Sequence, residues 1–282
     1  MQIKRNGLGI EMQQAYDYLA EVEELSDLLR DQHESVFLKR TLFKSWTVND
    51  IIGHLYMFDL AAVKSLQNEN EFAKIYLKVS AHLDQGMSIL ESQYPFLKGL
   101  SGKNLFEQWY DNSKKLGAAF ACADPSVRLK WFGPEMSAKS SITARQMETW
   151  AHGQEIFDAL GVKRAAHDRI KNICHLGVAT FGWSFTNRSL KVPDRIPYVG
   201  LISPSGKIWE WGDSSSQSSI KGKASEFAEV VTQVRNVQDT KLKSEGAIAK
   251  NWMKIAQCFA GQPENPPIQG SRFMVPRTNS NV

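Results

Sequence analysis

An α+β fold, with a helical bundle followed by a smaller α+β domain, is the class that this 282-residue sequence predicts. Three observations carry it. Apolar positions recur at helical spacing up to about residue 160, the texture turns to short β-rich pieces after Gly161, and Pro204-Ser205-Gly206 sits between two of those pieces as a hairpin signal.

The elements follow in order. Residues 10–32 carry a helical apolar pattern, and a second helix opens at Trp46-Thr47, where Thr47 caps the end and Asp50 completes a capping box, and runs to about Leu66. A third pattern covers 71–93 and ends before Pro95; a fourth covers 104–123 and stops before Asp124-Pro125. Residues 131–137, WFGPEMS, read as a Gly-Pro loop, and the last helix of the set spans 139–160 with Gly161 placed to end it. Beyond it come a helix at 168–183, β-rich runs in IPYVGLI, KIWEW and SIKG, and helices at 224–235 and 245–260. The domains expected are therefore 1–163 for the bundle, 164–262 for the α+β domain and 263–282 for an extended or mobile tail.

Composition narrows the function. Hydrophobic residues make up 42% and charged residues 23%, enough for two ordinary cores. The formal net charge is only +4, without basic runs interleaved with aromatics, so a nucleic-acid groove is not expected. Cys122, Cys174 and Cys258 lie far apart without a CxxC, as reduced thiols of a cytosol do. No run is long enough for a membrane helix and the start, MQIKRNGLGIEMQQ, lacks a signal-peptide core, so a cytoplasmic protein is expected, as monomer or homodimer. There is no G-x-S-x-G, no Walker A run and no G-x-G-x-x-G, which leaves hydrolase triads, nucleotide hydrolysis and dinucleotide binding without local support. Cys174 and His175 adjoin, but neighbours on a helix point about 100° apart, which argues against a catalytic pair. His33, His82 and His167 read as surface residues.

The chemistry concentrates in three residues. Glu148 and His152 are four apart on one predicted helix and share a face, while His54 lies on the apolar face of another with Ile51, Met57, Phe58 and Ala61. Two imidazoles and a carboxylate can hold a divalent metal and leave positions open for water or substrate. Each half also has a plainer reading. His54 alone reads as a core histidine bonded to a carbonyl or to Asp50, and Glu148 and His152 share an arc with Ser141, Arg145 and Glu155 that reads as a solvated polar stripe. Joint placement on facing helices favours the metal.

The pattern W-T-V-N-D-I-I-G-H-L at 46–55, followed by M-E-T-W-A-H-G-Q-E-I at 147–156, resembles the DinB-like superfamily, and within it the metal-binding branch of mycothiol-dependent maleylpyruvate isomerase. The resemblance covers residues 10–161, and the run ADPSVRLKWFGPEMSAKSSITARQMETWAHGQ is similar to a subfamily known only as metal-binding. It implies a DinB-like four-helix bundle with His54, Glu148 and His152 as metal ligands, and for 165–282 a smaller, sterol-carrier-like α/β domain. It also places Arg235, at the end of GKASEFAEVVTQVR, where the isomerase carries a cleft arginine; a helix-end surface cation is the other reading. Trp183, Trp209, Trp211 and Trp252 are expected in the small domain's core.

Together these readings point to a divalent-metal enzyme, with zinc the metal that suits the donors and nickel also accommodated. A metal-activated thiol or water would act on a small carboxylate substrate held by Arg235 or Arg145, and a low-molecular-weight thiol is the implied partner. The rival expectation is a non-catalytic metal- or ligand-binding protein.

Overall fold

The computed structural model describes residues 11–276. The stretch read as lacking a signal peptide lies mostly in residues 1–10, outside the described residues, as do 277–282 of the expected tail. Contacts group the chain into two compact units, one running up to Asp27 and then from Ile52 to Gln146, the other comprising Leu28–Ile51 and the chain from Met147 on.

The first unit is helical. Helices α1 (Gln13–Leu29) and α2 (Val48–Gln67) begin in one unit and end in the other. The expected capping box opens α2: the Thr47 N–H donates to Asp50 Oδ2 at 2.9 Å, and the Asp50 N–H returns to Thr47 Oγ1 at 3.1 Å. The single helix expected over 71–93 is two, α3 (Glu69–Asp84) and α4 (Ile89–Leu97). Gly86, at φ 81°, turns the chain between them, and Ser88 with Glu91 forms a second capping box. Pro95 lies inside α4 rather than after it, because the new start places it near that short helix's end.

Helix α5 (Gly102–Ala121) stops before Asp124-Pro125 as expected. The Gly-Pro loop is the tip of a small hairpin in which β1 (Arg128–Leu129) pairs antiparallel with β2 (Met136–Ser137). Helix α6 (Ala138–Ala159) ends at Gly161, φ 64°. Four helices meet at one buried carboxylate: Asp59 of α2 accepts from Tyr18 of α1 at 2.8 Å, Ser113 of α5 at 2.9 Å and Arg145 of α6 at 2.8 Å.

The second unit holds the sheet. Its chain passes through α7 (Lys171–Ala179) and α8 (Phe181–Thr186), broken at Thr180 where one helix was expected. Strands β3 (Tyr198–Ile202), β4 (Ile208–Trp211), β5 (Ser219–Lys223) and β6 (Lys243–Glu245) follow in a sheet of order β4-β3-β5-β6. The PSG hairpin joins β3 and β4 with Gly206 at φ 84°. Strand β5 runs parallel to β3, and β6 completes the edge.

Helices α9 (Ala224–Val231) and α10 (Gly246–Met253) are shorter than expected; Gln233 at φ 59° turns the chain soon after α9. Ile173, Val199, Leu201, Ile220, Phe227 and Trp252 build this unit's core. Trp209 and Trp252 belong to it and Trp211 packs against it, but Trp183 is half-buried outside it, its indole N–H donating to the Phe259 carbonyl at 3.1 Å. Residues 262–276 form no regular element and are nonetheless anchored: Gln233 Nε2 donates to the Glu264 carbonyl at 2.8 Å, Asn236 Nδ2 to the Pro267 carbonyl at 2.8 Å, and the Val275 N–H to the Asp158 carbonyl at 2.8 Å. No described helix is long and apolar enough to cross a membrane.

Candidate metal centre

Glu148 and His152 stand one turn apart on α6, with His152 Nε2 3.3 Å from Glu148 Oε2 and both side chains mostly covered. The polar stripe they share is not solvated: Ser141, Arg145 and Glu155 are each buried to 3% exposure or less. A stripe of that kind must be satisfied from inside the protein. Arg145 is accordingly taken by Asp59, with its guanidinium also over the Phe58 ring at 5.9 Å, so the expectation that it anchors a substrate carboxylate is replaced by a structural role.

Aromatic rings box His152. Trp46 stacks on the imidazole, ring centroids 6.0 Å apart and planes within 4°, and Phe43 meets it edge-on at 5.0 Å. Both rings come from the segment before α2, which a tight turn shapes. Lys44 and Ser45 have φ of 48° and 58°, the Thr41 N–H donates to the Trp46 carbonyl at 2.8 Å, and Arg40 Nη1 donates to the Ser45 carbonyl at 2.8 Å. These contacts orient the imidazole plane.

His54 is buried at 8% exposure on α2, its ring 4.7 Å from Phe58. Phe58 belongs to an aromatic group with Phe72 of α3 and with Trp131 and Phe132 of the hairpin tip. One ligand atom from each of His54, Glu148 and His152 lies within 4.8 Å of the other two. Two imidazole nitrogens and a carboxylate oxygen at that spacing are donors that a divalent ion of the zinc class accepts.

Arg235 lies just beyond α9 and is half-buried, with Nη2 donating to Asp158 Oδ2 at 2.6 Å and Nη1 to the Val234 carbonyl at 3.1 Å. It lines a cavity of about 430 Å³ with Trp150, Gln154, Asp158 and Glu229. Trp150 is two residues before His152, about 200° round the helix, so α6 offers the cavity a different face from the one carrying Glu148 and His152. Burial raises the Glu229 carboxyl to about 7, with Arg235 pulling it down and Asp158 and Glu226 pushing it up.

Among the other candidates, Cys174 is buried with Sγ 3.4 Å from the Ala224 carbonyl, and burial pushes its thiol well up. His175 accepts from Trp211 Nε1 at 3.2 Å rather than pairing with it. His33 is exposed and caps a short 3-10 turn by accepting from the Ser35 N–H.

Phe43, Trp46 and the hairpin-tip aromatics were not singled out from the sequence, although Trp46 opens the very motif that carries His54. Arg272 was also missed. It bonds to buried Glu155, one turn along α6 from His152, and lies over Phe43 at 5.1 Å. No local signal marks a partner 117 residues away.

Helices that carry a His/Glu/His donor set, together with a small mixed sheet, define an α+β protein with a candidate metal site. The model of the mycothiol maleylpyruvate isomerase N-terminal domain matches residues 18–157. Proteins from two strains of Mycobacterium tuberculosis, both named only as uncharacterized, are 34% identical over 247 residues, covering 88% of this chain and 95% of theirs. The chain belongs to this DinB-like, maleylpyruvate isomerase-like family. The crystal structure of the mycothiol-dependent maleylpyruvate isomerase superposes with a TM-score of 0.52 at 13% identity, covering 82% of this chain and 91% of that one, a likeness of fold.

Proposed function

We propose that the protein is a divalent-metal enzyme of the maleylpyruvate isomerase type, in which a metal-activated thiol or water carries out isomerisation or transfer on a small carboxylate substrate. His54, Glu148 and His152 would be the ligands and zinc the metal. The observation that carries the reading is that these three residues bring their ligand atoms within 4.8 Å of one another. Three protein donors leave coordination positions open, as catalytic sites do and closed structural sites do not.

A divalent ion held there would supply a Lewis-acid position at which a thiol or water is more acidic than in bulk. The protein's own part is orientation. Trp46 and Phe43 hold the His152 ring, and Glu148 Oε2 lies 3.3 Å from its Nε2. No role at the metal is proposed for Arg235, which bonds to Asp158 beside a cavity that faces another side of α6. The thiol-dependence of the isomerase makes a low-molecular-weight thiol, with mycothiol the first to try, the proposed co-substrate.

The test is elemental analysis of untagged protein, followed by a thermal-shift screen of thiols with and without metal. One divalent ion per chain, and thiol protection that disappears with a chelator, is the expected result. Protein that takes up no divalent ion at micromolar concentration overturns the reading.

A further inference from the structure

The C-terminal segment reaches the metal-bearing face of α6 from far along the chain. Arg272 pairs with Glu155, which is buried at 3% exposure and lies three residues after His152. The same guanidinium sits over the Phe43 ring at 5.1 Å, and Phe43 packs edge-on against His152 at 5.0 Å. A second tie joins the two segments next door, Lys44 Nζ to Glu264 Oε1 at 2.8 Å. The segment is held between these points by Asn236 on the Pro267 carbonyl and by the Gly270 N–H on both Asp239 oxygens at 3.0 Å.

These contacts form a chain from the segment to a metal donor. The turn at 41–46 keeps Phe43 and Trp46 together at 5.0 Å and sets the Lys44 ammonium over the Phe43 ring at 5.5 Å, but that ammonium is exposed, so a buried contact on the ring has to come from outside the turn. Arg272 supplies that contact. A cation on a ring face contributes about 0.5–2 kcal/mol, and the guanidinium is fixed by a buried carboxylate rather than left to solvent.

We infer that Arg272 is a positioning residue for the metal centre, holding Phe43 against His152 so that the imidazole is set for coordination before an ion arrives. The inference rests on His152 being a ligand. Its consequence is that an intact C-terminal segment governs metal affinity although it contributes no ligand. A donor free to rotate must be ordered when the ion binds, and that entropy weakens binding.

The experiment uses the full chain, cobalt(II) as the probe, and chelator competition with visible absorption as readouts. Arg272→Gln should weaken cobalt affinity about tenfold and shift the absorption bands, while Arg272→Lys, which keeps a cation at the ring, should stay within threefold of the parent. Removing one partner of a buried pair can unfold a protein, so Glu155→Gln/Arg272→Gln, which removes both charges together, is the second variant. It should show the same tenfold loss, because Phe43 is left with only the exposed Lys44 ammonium. If Arg272 served only to balance Glu155, the double variant would regain the parent's affinity. A double variant that binds cobalt within twofold of the parent, with the same spectrum, overturns the inference and leaves the proposed function standing. A parent protein that binds no cobalt overturns both.

Discussion

Asp59 of α2 and Arg145 of α6 form a buried ion pair, Oδ1 to Nε at 2.8 Å, five residues after His54 on one helix and three before Glu148 on the other. The pair ties α2 to α6 within the helical unit. Losing one partner of such a pair costs about 3–5 kcal/mol, because a charge remains buried alone. Arg145→Met should lower the unfolding free energy by about that much in urea titration. Tyr18→Phe, which removes only one of the donors to Asp59, should cost about 1–2 kcal/mol. Equal losses from the two changes would show that the charge pair is not what holds the hub.

This hub explains how far the sequence could be read. The helical patterns, the Thr47/Asp50 box, the PSG hairpin and the four-residue spacing of Glu148 and His152 are local, so spacing exposes them. What spacing does not expose is which polar residues face inward. The arc holding Ser141, Arg145, Glu148, His152 and Glu155 has the composition of a solvated stripe, and it is buried because Asp59 and Arg272, both remote in sequence, meet two of its charges. The break between α3 and α4 was missed because the apolar spacing continues across Gly86, and β6 because three residues, Lys243–Glu245, have no strand pattern until β5 pairs with them. The anchored C-terminal segment was hidden by its polar, proline-rich composition, which gives no hint of the carbonyls that Asn236 and Gln233 engage.

His152→Ala should abolish metal binding at micromolar concentration, measured by elemental analysis and by cobalt titration. His54→Ala and Glu148→Ala should do the same. Glu155→Gln, on the same arc but outside the donor set, should weaken binding by no more than severalfold. A Glu155 variant as deficient as the His152 variant would mean that the donor set has been misassigned.

Gly177 of α7 packs against Val231 of α9. A Cβ added there would fall 2.7 Å from Val231 Cγ2 and 2.9 Å from Cγ1, both in the packed core. Alanine at a helix interior gains about 1 kcal/mol over glycine, whereas forcing an extra methyl into a close contact costs about 1–3 kcal/mol. Overpacking should win: Gly177→Ala should destabilise the protein by about 1 kcal/mol, and Gly177→Ala/Val231→Ala should cost less than the sum of the two single changes. A Gly177→Ala protein more stable than the parent in urea titration would show that α7 and α9 separate freely.

Glu229 makes the stability of the cavity region depend on pH with a definite sign. Burial is the main cause raising its carboxyl from 4.5 to about 7, with Asp158 and Glu226 adding to the rise and Arg235 opposing it. Between those two values the folded protein holds a proton that the unfolded chain has released, so stability falls as pH rises from about 4.5 to about 7 and is level beyond. Glu155, also raised by burial, slopes the same way. Glu229→Gln keeps the neutral shape and removes the titration. Relative to the parent it should gain stability steadily over that window, reaching about 1 kcal/mol or more at pH 8, since a tenfold change in a group's acidity on folding corresponds to about 1.4 kcal/mol before solvent screening. Urea unfolding of both proteins at pH 4.5, 6 and 8 measures this directly. A difference that stays constant across the three would mean that Glu229 is ionised in the folded protein throughout, with Arg235 rather than burial deciding its charge.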